Sequence, residues 1–152
     1  MTVFIVFASG KVDASIIHCL CESESLDLIG YARDTVDAAD RIVKNEPQVV
    51  IIDSRHNNDA ARTVLRELEH LAQVPTIIII SDSATMRDGQ EGSMEVVTHC
   101  FQFPGEERGF CAALAALSAE LDREHHQSRS HQSPLFTGFW EGHGSQILEA
   151  LK

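Results

Sequence analysis

The chain has 152 residues, of which 43% are hydrophobic, and a formal net charge of −11. This length and apolar share fit one globular domain with a full core. The negative charge argues against a nucleic-acid-binding surface, because neutralising phosphates requires clustered Lys and Arg. We expect a cytoplasmic protein, since no apolar run reaches the roughly 18–20 residues of a membrane span and no basic leader precedes the apolar start.

Apolar runs bounded by turn residues alternate with segments of helical periodicity along the chain. Such runs predict buried strands of a parallel sheet. The predicted strands are residues 3–7, 26–31, 49–53, 76–81 and 96–102. The predicted helices are residues 12–21, a helix capped by Asp34 and ended by Pro47, residues 59–71, a weak helix at 86–94, and residues 106–125.

Five β–α repeats in this order predict an α/β protein with a doubly wound, five-stranded parallel sheet. Helices on both faces of that sheet make a three-layer sandwich. In such folds ligands and chemistry gather at the carboxyl ends of the strands. The residues at those ends are Phe7 and Ala8, Asp53, Ser81, and Gln102 with Phe103.

Two of these strand ends carry polar side chains. Asp53 ends the third strand in VVIIDSR, and Ser81 ends the fourth in IIIISDSA. With this strand order, residues 2–125 resemble the response-regulator receiver (CheY-like) family, which has a flavodoxin-like (βα)5 fold. The resemblance implies that Asp53 is equivalent to the aspartate that accepts a phosphoryl group from a histidine kinase. It implies that Ser81 is equivalent to the switch hydroxyl.

The other strand ends depart from the family. Its first strand ends in two adjacent acids, which hold Mg²⁺ together with the phosphoacceptor, and here those positions are Phe7 and Ala8. Its fifth strand ends in Lys-Pro, and alignment on Pro104 places Phe103 at the lysine position, with Gln102 before it. We predict that the two aromatic rings fill the space of the missing charges.

These departures bear on chemistry. Magnesium favours carboxylate oxygens, and phosphoryl transfer relies on metal and cationic groups to neutralise charge. We therefore expect no catalytic residue, no cofactor, doubtful Mg²⁺ binding, and slow or no phosphorylation of Asp53. The chain is predicted to be a non-enzymatic pseudo-receiver that controls an attached effector or a protein partner. Regulation of transcription is one process in which it could act.

Three readings remain open. In the first, the pseudo-receiver forms a homodimer through residues 86–121, whose last helix offers small side chains at Ala112, Ala113, Ala115 and Ala116. In the alternative, Asp53 is the functional phosphoacceptor of a two-component system; Asp59 or Asp82 then supplies metal ligands, and Arg55 or Arg87 reaches across a loop as the cation. A small-ligand sensor ranks last, because no glycine-rich phosphate cradle follows the first strand.

Composition changes after Leu121. We predict a receiver-like domain at 1–124, and a linker with the start of a following segment or domain at 125–152. The polar stretch containing His125, His126 and His131 is predicted to be a linker and not a metal tract. Residues 139–151 loosely resemble the entry to the ATPase domain of bacterial enhancer-binding transcription activators, with matches at Gly142 and Ile147; Trp140 lies in the same segment. The four cysteines lack metal-ligand spacing and are predicted to be free thiols.

Overall fold

The structure is a computed structural model of the chain, and it describes residues 1–82 and 97–130. The strands are β1 (Thr2–Phe7), β2 (Asp27–Ala32), β3 (Val49–Asp53), β4 (Thr76–Ser81) and β5 (Val97–Gln102). The helices are α1 (Ala14–Cys21), α2 (Ala38–Asn45), α3 (Asn58–Leu68) and α4 (Glu107–Ser130). The five strands form one all-parallel sheet in the order β2-β1-β3-β4-β5. The predicted fold class is therefore confirmed.

The strand sequences explain why helices cover both faces of this sheet. β3 and β4 are almost entirely Val and Ile and are buried on both sides, as expected of central parallel strands. Because successive side chains point to opposite faces, Val50 and Ile52 pack with residues of α2 and α3. Val49 and Ile51 pack on the other face with residues of α1 and α4. Two separate cores result, which is the predicted three-layer arrangement.

Two helix starts differ from the prediction by more than one residue. α2 begins at Ala38, with Asp37 and not Asp34 at the cap position, so the predicted Asp34 cap is wrong. The reason is the lack of an apolar face before Ala38, since Val36 is 83% exposed whereas Ala38 and Ile42 are buried. α1 begins after Asp13, whose side chain accepts a hydrogen bond from the backbone N–H of Ser15. This aspartate caps the helix and also lies in the functional site.

The chain divides into two compact units, Met1–Ser118 and Ala119–Lys152, and the boundary between them falls within α4. Within the first unit, Phe110 and Leu114 are buried against the sheet, as predicted. The predicted boundary between residues 124 and 125 stays a prediction. No helix within residues 1–82 and 97–130 is long and apolar enough to cross a membrane.

Several predicted features lie outside the described residues. These are the weak helix at 86–94 with Arg87, and the tail residues His131, Trp140, Gly142 and Ile147. Of His125 and His126, only the helical backbone is described.

Candidate functional site

The carboxyl ends of β1, β3 and β4 are adjacent in the sheet. Phe7 pairs in register with Asp53, and Asp53 pairs with Ile80, so Ser81 lies one residue further along. Asp53 is a buried carboxylate in this otherwise apolar row. Ser81 is fully buried, and its backbone carbonyl accepts a hydrogen bond of 2.8 Å from the N–H of Phe103. The structure thus brings Phe7, Asp53, Ser81 and Phe103 to one edge of the sheet.

Arg55 engages both oxygens of the Asp53 carboxylate. Arg55 Nε donates to Asp53 Oδ1 at 2.8 Å, and Arg55 Nη2 donates to Asp53 Oδ2 at 2.8 Å. The backbone N–H of Arg55 donates the third hydrogen bond to this carboxylate, at 3.2 Å from Oδ1. Parallel N–H···O bonds of this kind combine charge with a fixed geometry and are among the stronger polar contacts in proteins. All three of these bonds to the Asp53 carboxylate come from Arg55, in the loop that directly follows β3.

Asp13 binds the same guanidinium from a different loop. Arg55 Nη2 donates to Asp13 Oδ2 at 2.7 Å, so one nitrogen bridges two carboxylates that are 40 positions apart in the chain. The other oxygen of Asp13, Oδ1, accepts from the N–H and the hydroxyl of Ser15 in the first turn of α1. Asp13, Asp53 and Arg55 together are called the charge cluster below.

The charge cluster changes the ionisation of two of its members. Burial alone would raise the pKa of Asp13, but hydrogen bonds from Ser15 and Arg55, with the charge of Arg55, lower it from 3.8 to about 2. Hydrogen bonds to Asp53 are the main reason that the pKa of Arg55 is raised, against the lowering effect of burial. Both shifts favour the charged forms, so Asp13 and Arg55 stay ionised at neutral pH.

An aromatic group borders the charge cluster. It consists of Phe7, Phe103 and Phe110, all buried. The rings of Phe103 and Phe110 meet edge to face with centroids 5.4 Å apart. The Arg55 guanidinium lies 5.7 Å from the centroid of the Phe103 ring, which is within cation–π range. The rings of Phe7 and Phe103 are therefore packed in the core and not turned to solvent.

The remaining predicted positions have structural contacts. The N–H of Ala8 donates to the Asp53 carbonyl at 3.1 Å, and the Ala8 carbonyl accepts from Asn57 Nδ2 at 3.2 Å. These bonds tie the end of β1 to the loop after β3. Gln102 is exposed, and its N–H donates to Glu106 Oε2 at 2.6 Å. Neither Ala8 nor Gln102 adds a charged side chain to the edge.

The divalent cation implied by the resemblance does not fit these residues. Phe7 and Ala8 offer no side-chain oxygen, and both oxygens of Asp53 accept hydrogen bonds from Arg55. Asp59 is exposed in the first turn of α3, and Asp82 lies 3.6 Å from His56 Nδ1. Over residues 1–82 and 97–130, no group of three or more His, Cys, Asp or Glu is arranged to hold a metal.

The role of Asp13 is not predictable from the sequence alone. Arg55 is expected from the sequence only as a cation that reaches across a loop, whereas in the structure it turns back onto Asp53 two residues away. A signal for Asp13 was present, because Asp followed two residues later by Ser at the start of an apolar helix is a capping pattern. That pattern predicts the bond to Ser15 but not the bond to Arg55, which depends on the crossover between β1 and β3.

Neither a protein-family model nor a curated protein sequence matches the chain. Solved receiver domains do match in structure. The response regulator domain of Thermotoga maritima CheB is 15% identical over 79% of this chain and 94% of its own, with a TM-score of 0.58. The response regulatory domain of mrkE from Klebsiella pneumoniae is 16% identical over 81% of this chain and 99% of its own, with a TM-score of 0.65.

A third match is the isolated REC domain of RcsB from Salmonella enterica serovar Typhimurium, determined with the phosphomimetic BeF3−. It is 17% identical over 78% of this chain and 88% of its own, with a TM-score of 0.62. At these identities the likeness shows the fold alone. The chain has the fold of response-regulator receiver domains, with the charge cluster where the strands end.

Proposed function

We propose that this chain is a non-enzymatic, receiver-like regulatory module that acts without phosphorylation of Asp53. It controls an attached effector or a protein partner. The observation that carries this proposal is the pair of hydrogen bonds that engage both oxygens of the Asp53 carboxylate with Arg55. A carboxylate attacks a phosphoryl donor through an oxygen lone pair, and here each oxygen is held in a charged hydrogen bond.

The surroundings of Asp53 oppose phosphoryl transfer as well. The oxygens of the transferring group need several positive charges to stabilise them. The one guanidinium at Asp53 is shared with Asp13, so the charge cluster has two negative charges and one positive charge. An incoming phosphoryl group would meet a net negative site bordered by aromatic rings.

The first experiment is an amide NMR titration of the wild type with Mg²⁺ and beryllofluoride, which stands in for a phosphoryl group on aspartate. We expect no saturable shift at Asp53 or Ser81 at about millimolar Mg²⁺. Intact-mass analysis after incubation with acetyl phosphate should show no phosphoryl adduct. The control is Asp53→Asn, which should behave as the wild type in both measurements.

The alternative function gives the opposite result. A phosphoacceptor receiver would show saturable shifts at Asp53 and Ser81 and a mass adduct, and both would be lost in Asp53→Asn. That outcome would replace the proposal with a two-component receiver phosphorylated on Asp53.

Homodimerisation is the second part of the proposal. One solved structure of similar fold contains two RcsB dimers bound to two parallel DNAs. In this chain α4 presents small exposed side chains at Ala112, Ala115 and Ala116, with Ala113 partly buried, which allow another helix to approach closely.

Given the net charge of −11, we place any DNA contact in an attached domain. Control of transcription by an enhancer-binding activator remains a prediction, since the residues that suggest it lie outside the described ranges.

Sedimentation velocity tests this second part. We expect a dimer at high micromolar concentration, and Ala116→Glu should convert it to a monomer by placing a charge in the helix contact. The matched control is Ala72→Glu, which places the same charge at an exposed alanine in the loop after α3. A wild type that sediments as a monomer at this concentration would contradict homodimerisation.

A further inference from the structure

We infer that the Arg55 guanidinium is a built-in cation that occupies a divalent-cation position between Asp13 and Asp53, so that removing it exposes a latent Mg²⁺ or Mn²⁺ site. This inference rests on the proposed function, because it explains why Asp53 needs no metal. It also assigns a role to Asp13, which the receiver resemblance does not predict.

The geometry of Arg55 Nη2 supports this inference. One nitrogen atom lies 2.7 Å from Asp13 Oδ2 and 2.8 Å from Asp53 Oδ2. Two anionic oxygens from separate loops therefore converge on a single positive centre. Magnesium usually keeps several waters and is bound through one or two carboxylates together with phosphate oxygens. The convergence of Asp13 and Asp53 on one point supplies the carboxylate part of such a ligand set.

Burial explains why a cation is required there. The side chain of Asp53 is 3% exposed, that of Asp13 is 28% exposed, and that of Arg55 is 15% exposed. Like charges this close repel strongly when water is largely excluded. Without Arg55, the two carboxylates must take up a proton, a metal ion, or separate.

Asp13 is held in place independently of Arg55. Its Oδ1 accepts from the N–H and hydroxyl of Ser15, and the residue caps α1. Asp53 is fixed at the end of a buried central strand. The fold therefore fixes the backbone of both residues, which keeps the two carboxylates near enough to converge on a metal ion when the guanidinium is removed. This preorganisation makes the latent site testable.

The test uses Arg55→Met, which keeps much of the side-chain volume and removes the charge. We expect about 10 mM Mg²⁺ to raise the melting temperature of this variant by at least about 3 °C, as a site of roughly millimolar affinity should. The wild type should show no such shift. Mn²⁺ should broaden the amide signals of Asp13 and Asp53 in the variant and leave them sharp in the wild type.

Three further variants make the test specific. Arg55→Met combined with Asp13→Asn should lose the response to both ions, because one of the two carboxylates is gone. Arg55→Lys keeps a cation at this position, so Mg²⁺ should not raise the melting temperature of this variant. Arg66→Met removes an exposed positive charge from α3 and controls for the change in net charge. Should Arg55→Met fail to fold, Arg55→Gln takes its place as a neutral, polar substitute.

Two results would overturn the inference. One is a folded Arg55→Met or Arg55→Gln protein that does not respond to Mg²⁺ or Mn²⁺. The other is a response that persists when Asp13 is also replaced. Both differ from failure of the proposed function, which would appear in the wild type as a phosphoryl adduct on Asp53.

Discussion

The charge cluster and the aromatic group occupy the same edge of the sheet but depend on different forces. The aromatic group is stabilised by burial and ring packing, which do not require any side chain to be ionised. The charge cluster is stabilised by ion pairs that require ionised carboxylates. They meet where Arg55 lies over Phe103. At this edge of the sheet, buried aromatic packing therefore lies beside an ion-pair network that is closed within the chain.

The largest expected effect tests whether the aromatic group is core. Phe7→Ala removes a fully buried ring at the end of β1. It should lower the free energy of unfolding by about 3–5 kcal/mol, through lost transfer energy and the cavity left behind. Urea denaturation measures this change. The matched control is Val36→Ala at a position that is 83% exposed, which should alter stability by less than about 0.5 kcal/mol. Equal effects at the two positions would contradict the comparison.

Replacing Asp53 tests the charge cluster in the same assay. Loss of one partner from a buried ion pair costs about 3–5 kcal/mol, but Arg55 keeps Asp13 and some solvent contact. We therefore expect Asp53→Ala to lower the free energy of unfolding by about 2 kcal/mol. Combining it with Arg55→Met should cost at least about 1 kcal/mol less than the sum of the single changes, since the residues interact directly. Additive costs would show that the ion pair adds no coupling energy.

The sequence predicted the sheet and its layers because burial leaves a strong pattern. Runs such as VVIID and TIIIIS have one plausible place in an α/β protein, at the centre of a parallel sheet. The position of Asp53 followed from the end of such a run. The partner of Asp53 did not, because side-chain pairing between loops has no periodicity. Arg55 has several possible directions, and only the fold brings Asp13 to its guanidinium.

The Asp34 cap shows a second limit. Acidic residues in the loop before α2 satisfy a capping pattern, but Val36 has nothing to pack against and the helix begins only at Ala38. Tertiary burial decided the helix start, and the local pattern alone did not contain that information.

Acid should weaken the charge cluster before the aromatic group. The folded state lowers the pKa of Asp13 from 3.8 to about 2. Its contribution to stability is therefore complete above about pH 4 and is lost as pH falls towards 2. At neutral pH we expect the free energy of unfolding of the wild type to exceed that of Asp13→Asn by about 1 kcal/mol, a value that allows for the partial exposure of Asp13.

That difference should shrink over the acid range. Asn caps helices about as well as Asp, so the variant removes the charge and keeps the α1 cap. Urea denaturation from about pH 6 down to about pH 2.5 measures the difference. A gap between the two proteins that stays constant down to the lowest pH would argue against an ionised Asp13 as its cause.

The smallest effect concerns the thiols beside the aromatic group and should leave stability unchanged. Cys19 and Cys111 pack against the core cluster that contains Phe7, Phe103 and Phe110. Burial, together with a hydrogen bond involving Cys111, raises the pKa of Cys19 to about 12. Because the thiolate is the reactive form, iodoacetamide at about pH 8 should alkylate Cys19 at least about tenfold more slowly than the exposed Cys21. Peptide mass spectrometry over time measures both rates in one sample, with Cys21 as the internal control. Equal rates would mean that water reaches this side of the sheet, and that the aromatic group is less closed than its packing indicates.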